Sequence, residues 1–175
     1  MTKNLGAVAC PNPVRAFTRK SIMEKVVLTY GTFDLFHSGH LKLLARLKKL
    51  GTKLIVGVST DEFNAGKGKK TIIPFQDRIS IVENIKHVDL AIPEENWEQK
   101  VNDIKKYNVN IFGMGHDWEG KFDHLRQWCE VIYLPRTNGI SSTEIKNSLK
   151  ALDQNHIKEI KKSLDLISSI IEKLD

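Results

Sequence analysis

Apolar positions along this chain fall into two rhythms. Short runs sit at Val26–Leu28, Lys53–Ser59, Val88–Pro93, 110–115 and Glu130–Leu134. Their near-continuous apolar character predicts strands buried on both faces. Between them the spacing changes to three and four. Leu41, Leu43, Leu44, Leu47 and Leu50 line one face of a helix that stops at Gly51. Ile79, Ile81, Val82 and Ile85 do the same in a helix opened by Pro74 and running to about Lys86. A further helix opens at Asn96-Trp97-Glu98-Gln99-Lys100 and runs to Tyr107. Alternation of strand and helix predicts a parallel α/β sheet, and the first strand–helix–strand unit is long enough for a right-handed crossover.

The two ends follow neither rhythm. Residues 1–24 lack periodicity and are broken by Pro11, Asn12 and Pro13, so they read as a flexible extension. Leu5–Cys10 is too short and poorly flanked for a signal peptide, and Ala7-Val8-Ala9-Cys10 has no hydrophobic region before it to make a lipobox. At the other end, a helix starting at Ser141 is expected to finish near Leu152. Beyond it, Ile157, Ile160, Leu164, Ile167, Ile171 and Leu174 form a heptad seam. That seam has two explanations: packing on the chain's own core, or a helix from a second subunit. The chain divides into an extension (1–24), a core domain (25–152) and an amphipathic C-terminal helix (153–175).

Candidate chemistry is concentrated in the first strand-to-helix turn, Gly31-Thr32-Phe33-Asp34-Leu35-Phe36-His37-Ser38-Gly39-His40. In a parallel sheet such a turn lies at the carboxyl ends of the strands, where ligands bind. Its glycines admit close approach, and the first helical amides favour an anion. His37 and His40 are three apart and can face the same way. A phosphate site with two imidazoles, a pair of metal ligands and a chance pair are all compatible with this spacing, although no nearby Cys, third His or carboxylate completes a metal set. The loop Gly66-Lys67-Gly68-Lys69-Lys70 follows the second strand. It reads as a solvated cationic loop or as a flap that reaches phosphates. Arg136 can clamp phosphate oxygens, and Ser141, Ser142 and Thr143 place hydroxyls and amides at a helix start.

Charge and cysteines narrow the partners. Of the net charge of +6, half comes from Lys3, Arg15, Arg19 and Lys20 against Glu24 in the extension. The basic balance is therefore no argument for nucleic acid, and the rest suits a small anionic substrate. No apolar run has membrane-spanning length. Cys10 and Cys129 outline no disulfide framework, which fits a reducing cytoplasm.

The string from Gly31 to His40 resembles the HxGH signature of the nucleotidyltransferases, and more narrowly the cytidylyltransferases. The resemblance runs from about Val26 to about Leu149. Asn96–Lys100, the segment His116-Asp117-Trp118-Glu119-Gly120-Lys121-Phe122-Asp123, and Arg136-Thr137-Asn138-Gly139-Ile140-Ser141-Ser142-Thr143 are similar to the family's glycerol-phosphate branch. It implies a Rossmann-like, doubly wound, five-stranded parallel sheet with an extra C-terminal helix. The implied reaction is CTP plus glycerol 3-phosphate giving CDP-glycerol and pyrophosphate, with Mg2+, in a cytoplasmic homodimer serving teichoic-acid or capsule-type polymers. By the same resemblance His37, His40, Lys67 and Arg136 are catalytic. Gly31, Thr32, Phe33, Gly115, Asp117, Thr137, Ile140, Ser141 and Ser142 join them in binding CTP. Lys69, Arg78 and Lys86 face the acceptor phosphate, and Asp34 neighbours the metal or ribose. Lys86 stands where the branch carries arginine, His116 where it commonly carries an acid, and Ser142 where it carries threonine. The first two departures keep open another acceptor, such as ethanolamine phosphate or a sugar phosphate. A nucleotide-binding regulator without catalysis is the reading from another class. Members of the family usually begin just before the first strand, so Met23 is an expected start.

Overall fold

The computed structural model describes residues 24–136 and 141–171. Most of the expected N-terminal extension, the loop residues Thr137, Gly139 and Ile140, and Leu174 of the seam lie outside the described residues. Five parallel strands form one sheet: β1 (Val26–Gly31), β2 (Lys53–Ser59), β3 (Leu90–Glu94), β4 (Ile111–Gly115) and β5 (Glu130–Leu134). Their order is β3-β2-β1-β4-β5. The chain winds outward from β1 to β3, returns to the other side of β1, and winds outward again. The order reverses between β1 and β4, and the crevice at their carboxyl ends is the place where such sheets bind ligands.

Alternate residues of β1 feed two cores. Val27 packs with Leu44 and Leu47 of α1 (Ser38–Lys48) and Val82 of α3 (Phe75–Glu83) on one face. Val26, Leu28 and Tyr30 pack with Ile104 of α4 (Gln99–Lys106) and with Phe122 and Leu125 on the other. Burial on both faces is why these strands read as continuous apolar runs. At the opposite pole of the sheet, Asp89 accepts from the Leu54 amide at 2.6 Å and from Lys48 Nζ, which ties the end of α1 to the start of β2.

Three helices differ from expectation. Asp61–Gly66 forms a short helix, α2, capped by Thr60, whose Oγ1 accepts from the Phe63 amide at 3.1 Å. The helix opened by Pro74 ends at Glu83 rather than near Lys86, and Ile81 is exposed. The helix expected to stop near Leu152 continues unbroken as α5 (Ser142–Ile171). The reason is in the sequence: this stretch holds neither glycine nor proline to stop it. Residues 154–164 of α5 are exposed on every side. Packing on the chain's own core therefore does not explain Ile157, Ile160 and Leu164.

The sheet leaves Gly57 of β2 no room for a side chain. A Cβ there would lie 2.1 Å from Cδ1 of Tyr30 on the neighbouring strand. Gly57→Ala should push the Tyr30 ring aside and cost about 1–3 kcal/mol, measured as the shift in a urea denaturation midpoint; an unchanged midpoint would show that the ring moves freely.

Candidate active site

The turn after β1 owes its shape to a local conflict. Phe33 and Leu35 adopt left-handed backbone, with φ of 52° and 48°. Such non-glycine residues persist only where their surroundings hold them, and they cluster at functional sites. The Phe33 ring folds back over Gly31, where an added Cβ would come within 2.8 Å of it. A glycine at position 31 thus gives the Phe33 ring room to pack.

Asp34 sets the turn in place. Its carboxylate is 3% exposed. Oδ1 accepts from the amides of Leu35 at 3.1 Å and Ile73 at 2.9 Å, and Oδ2 from the Ile72 amide at 3.0 Å and Lys146 Nζ at 2.6 Å. Burial pushes its pKa up, but Lys146 and the two amides outweigh burial and hold it below the ordinary range. Lys146 Nζ also donates to the Lys70 carbonyl at 2.9 Å, and Ser142 Oγ donates to the Asp34 carbonyl at 2.9 Å. The β1–α1 turn, the end of the lysine loop and the start of α5 are therefore joined at one residue.

The three-residue spacing of the histidines makes a helix cap. His37 Nδ1 accepts from the Gly39 amide at 3.0 Å, and His40 Nδ1 accepts from the His37 amide at 3.4 Å. This is the reciprocal logic of a capping box, built from imidazoles. With both Nδ1 atoms accepting, each neutral ring carries its proton on Nε2. The rings stack with centroids 4.0 Å apart. Burial pushes His40 down to about 4, and its neighbour His37 adds to this against the opposing pull of Asp34. Burial also lowers His37, while the Glu144 charge pushes it back up. Both rings are neutral donors at pH 7 before any ligand arrives.

A cleft of about 570 Å3 opens at the switch point, within the range of small-molecule pockets. Thr32, Phe33, His37, His40, Lys69, Gly115, Asp117, Arg136, Ser141 and Ser142 all border it. The start of α5 faces it, with Ser141 Oγ capping the Glu144 amide at 3.1 Å. A second, smaller hollow adjoins it, bordered by Gly31 and Lys67 as well as Lys69. Lys67 Nζ bonds Ser59 Oγ at 3.1 Å and sits 3.8 Å above the Phe63 ring. Burial lowers its pKa, Glu94 pushes back up, and Lys69 and Lys100 lower it further.

Two expected acceptor contacts lie elsewhere. Arg78 is fully buried. Its Nε donates to the Ile73 carbonyl, its Nη1 to the carbonyls of Thr32 and Ser59, and its Nη2 to Asp61. It clasps the ends of β1 and β2 to α3 and does not reach the cleft. Lys86 lies in the turn between α3 and β3, three residues before Asp89, at the pole opposite the cleft. His116, flagged as a departure, borders the cleft while its Nδ1 pairs with Glu119 at 2.9 Å. Thr137 and Ile140 lie outside the described residues.

Sequence reasoning missed Lys146, Glu94, Lys100 and Tyr30, which border the cleft or the hollow. A signal for Lys100 was present. Asn96 Oδ1 accepts from the Gln99 amide at 2.8 Å and Gln99 Oε1 from the Asn96 amide at 3.3 Å, a reciprocal pair in the turn that leads into α4. Lys100 and Ile104, four apart, then share its buried face.

Comparison with known proteins gives consistent matches. The model of the family described as Cytidylyltransferase-like matches residues 28–148. A glycerol-3-phosphate cytidylyltransferase of Bacillus spizizenii is 58% identical over 128 residues, which is 73% of this chain and 99% of that one. That of Staphylococcus aureus is 54% identical over 129 residues, 74% of this chain and 98% of that one. Among solved structures, a lipopolysaccharide core biosynthesis protein from Thermoplasma volcanium superposes with a TM-score of 0.57 at 25% identity, covering 66% of this chain and 99% of that one.

The neutral imidazoles make a prediction about stability. His40 binds a proton more weakly folded than unfolded, where its ordinary value is 6.5. Below about pH 6.5 the unfolded chain takes up more protons, so stability falls from there towards the folded pKa. The thermal midpoint should drop between pH 7 and 5, and His40→Gln should drop less over the same interval. An equal drop in both would assign the slope to other groups.

Proposed function

The chain belongs to the cytidylyltransferase-like family and, within it, to the glycerol-3-phosphate cytidylyltransferases, and we propose that it transfers the cytidylyl group of CTP to glycerol 3-phosphate, giving CDP-glycerol and pyrophosphate. The observation that carries this reading is the paired Nε2–H donors of the α1 cap facing the start of α5 across one cleft. An oxygen of the acceptor phosphate attacks the α-phosphorus of CTP. The bond to the bridging oxygen breaks, and pyrophosphate leaves with the electron pair. The acceptor is already an anion at neutral pH, so no protein base or nucleophile is needed. The task is to align two anions and to stabilise charge on the α-phosphate and leaving group.

The residues bordering the cleft suit that task. His37 and His40 offer N–H donors, and a triphosphate arriving beside them raises both pKa values. Their neutrality beforehand spares the empty site two stacked cations. The α5 amides and Arg136 meet the phosphates from the opposite side. Lys69 stands where the hollow meets the cleft, Lys67 lines the hollow, and both suit the acceptor phosphate.

Mg2+ belongs to this reading as a companion of the triphosphate. Among the described residues no three His, Cys, Asp or Glu side chains gather as a cage. Of the carboxylates bordering the cleft, Asp34 has both oxygens engaged, which leaves Asp117 as the one that would hold the ion. One carboxylate with substrate phosphates is an ordinary magnesium environment. The ion would neutralise charge on the β- and γ-phosphates. Among the described residues no helix is long and apolar enough to cross a membrane. A cytoplasmic setting suits a CTP-consuming reaction, and teichoic-acid or capsule-type polymers suit its product.

We also propose a homodimer paired through α5. Ile157, Ile160 and Leu164 are 47%, 60% and 57% exposed. The sequence continues their three-and-four spacing through Ile167 and Ile171. Ile160→Glu with Leu164→Glu should convert a dimer to a monomer in analytical ultracentrifugation; a wild-type monomer, or an unaltered dimer in the variant, overturns the pairing.

Pyrophosphate release with Mg2+, crossing CTP and ATP against several phosphorylated acceptors, tests the activity. Release should require CTP and glycerol 3-phosphate, and His40→Ala should keep its fold but lower kcat by roughly 100- to 1000-fold. Release with ethanolamine phosphate or a sugar phosphate instead would move the acceptor. CTP binding without release from any pair would make the chain a nucleotide-binding regulator.

A further inference from the structure

Lys100 is a lysine in an aromatic cage. Its Nζ lies 4.6 Å from the ring centroid of Tyr30, 4.7 Å from Trp97, 5.7 Å from Phe122 and 5.9 Å from Phe63. Rings gathered within about 6 Å of one ammonium are the means by which proteins recognise a ligand's cation. Here the cation is the chain's own. Lys100 is 2% exposed, and Glu94 Oε1 holds its Nζ at 2.6 Å. The other Glu94 oxygen accepts from Ser59 Oγ and stands 3.7 Å from Lys67 Nζ. The cage is filled from within and its charge is balanced by one buried carboxylate. The hollow it borders also carries Lys67 and Lys69, so positive groups outnumber the negative one.

On the reading of the chain as a cytidylyltransferase, we propose that Lys100 sets the class of acceptor: its tethered ammonium occupies the aromatic cage, shuts out phosphate esters that end in an ammonium group, and leaves the hollow to a neutral polyol phosphate. The exclusion is both steric and electrostatic. An ammonium entering this cage would displace or touch another, with the rings already serving the first. A polyol phosphate brings no second cation, and its dianion meets Lys67 and Lys69. Opening the cage while leaving Glu94 in place would turn a repulsive site into an attractive one.

The experiment compares acceptors in the wild type and in Lys100→Ala, with CTP and Mg2+. The wild type should favour glycerol 3-phosphate over ethanolamine phosphate and choline phosphate. Lys100→Ala should lower that preference by roughly 30-fold. Ethylammonium should bind the variant but not the wild type, read by tryptophan fluorescence with Trp97 in the cage, and should compete there with ethanolamine phosphate. Equal use of ethanolamine phosphate by the wild type overturns the proposal whether or not the variant folds. So does a variant that loses turnover with its preference unchanged and no response to ethylammonium, since Lys100 would then be only an ion-pair partner. Lys100→Met fills the cage without charge and should still refuse ethylammonium and keep glycerol 3-phosphate preferred over ethanolamine phosphate; a preference that falls as far as in Lys100→Ala overturns the proposal too. Absence of pyrophosphate release by the wild type from every acceptor would defeat the underlying reading, a failure separate from any fluorescence change in Lys100→Ala.

Discussion

The buried carboxylate of Asp34 is the point on which the cleft depends. An ionised carboxylate offers only acceptor sites, and at this depth each oxygen must find donors. It finds them on three segments: its own turn, the backbone at Ile72 and Ile73, and Lys146 of α5. These segments are the walls of the cleft. Their mutual placement is therefore fixed by one ionised group rather than by three independent packings. The amides that satisfy Asp34 hold the lysine loop against the first turn, and Lys146 draws α5 in from the opposite side. A cleft assembled this way is organised before substrate arrives, which is the condition for electrostatic stabilisation without reorganisation.

The same frame explains why the histidines are stacked without penalty. Two imidazolium ions with centroids 4.0 Å apart would repel each other. Burial keeps both rings neutral, and capping the first turn of α1 fixes their tautomers. Positive charge accumulates instead in the neighbouring hollow, where Glu94 offsets part of it. The cleft thus sets neutral imidazoles and helix amides beside Arg136 and Lys69, and the hollow sets Lys67 and Lys100 against Glu94. Such an arrangement suits a reaction in which one anion must approach another.

Much of this was legible in the sequence, and the failures have physical causes. The strands were readable because both faces are buried, which leaves an apolar run with little ambiguity. The His37–His40 turn was readable because its spacing follows from capping geometry. Arg78 and Lys86 were misplaced because resemblance carries residue type but neither burial nor pole. For Arg78 the information was local: it precedes the fully buried Val82 by four residues, so a helix that buries one buries the other. The α2 helix was overlooked because it is a single capped turn too short to show a period. The end of α5 was misjudged because a weakening apolar pattern was taken for a stop where no stop residue exists.

On the proposed reading, nucleotide chemistry and acceptor fit fall to different parts of the fold. The cap of α1, Asp34 and the start of α5 form the cleft at the switch point between β1 and β4. The hollow is bordered by the ends of β1, β2 and β3, Met114 of β4, the loop after α2, Lys100 of α4, and Trp118 and Phe122. The two share Thr32 and Lys69 at their boundary. A substitution at the start of α4 can therefore alter which molecule is accepted without moving an imidazole or a phosphate-facing amide. This separation lets one scaffold keep a single displacement reaction while its second substrate changes. On that proposal, acceptor specificity lies at Glu94 and Lys100, away from the signature turn by which the family is recognised.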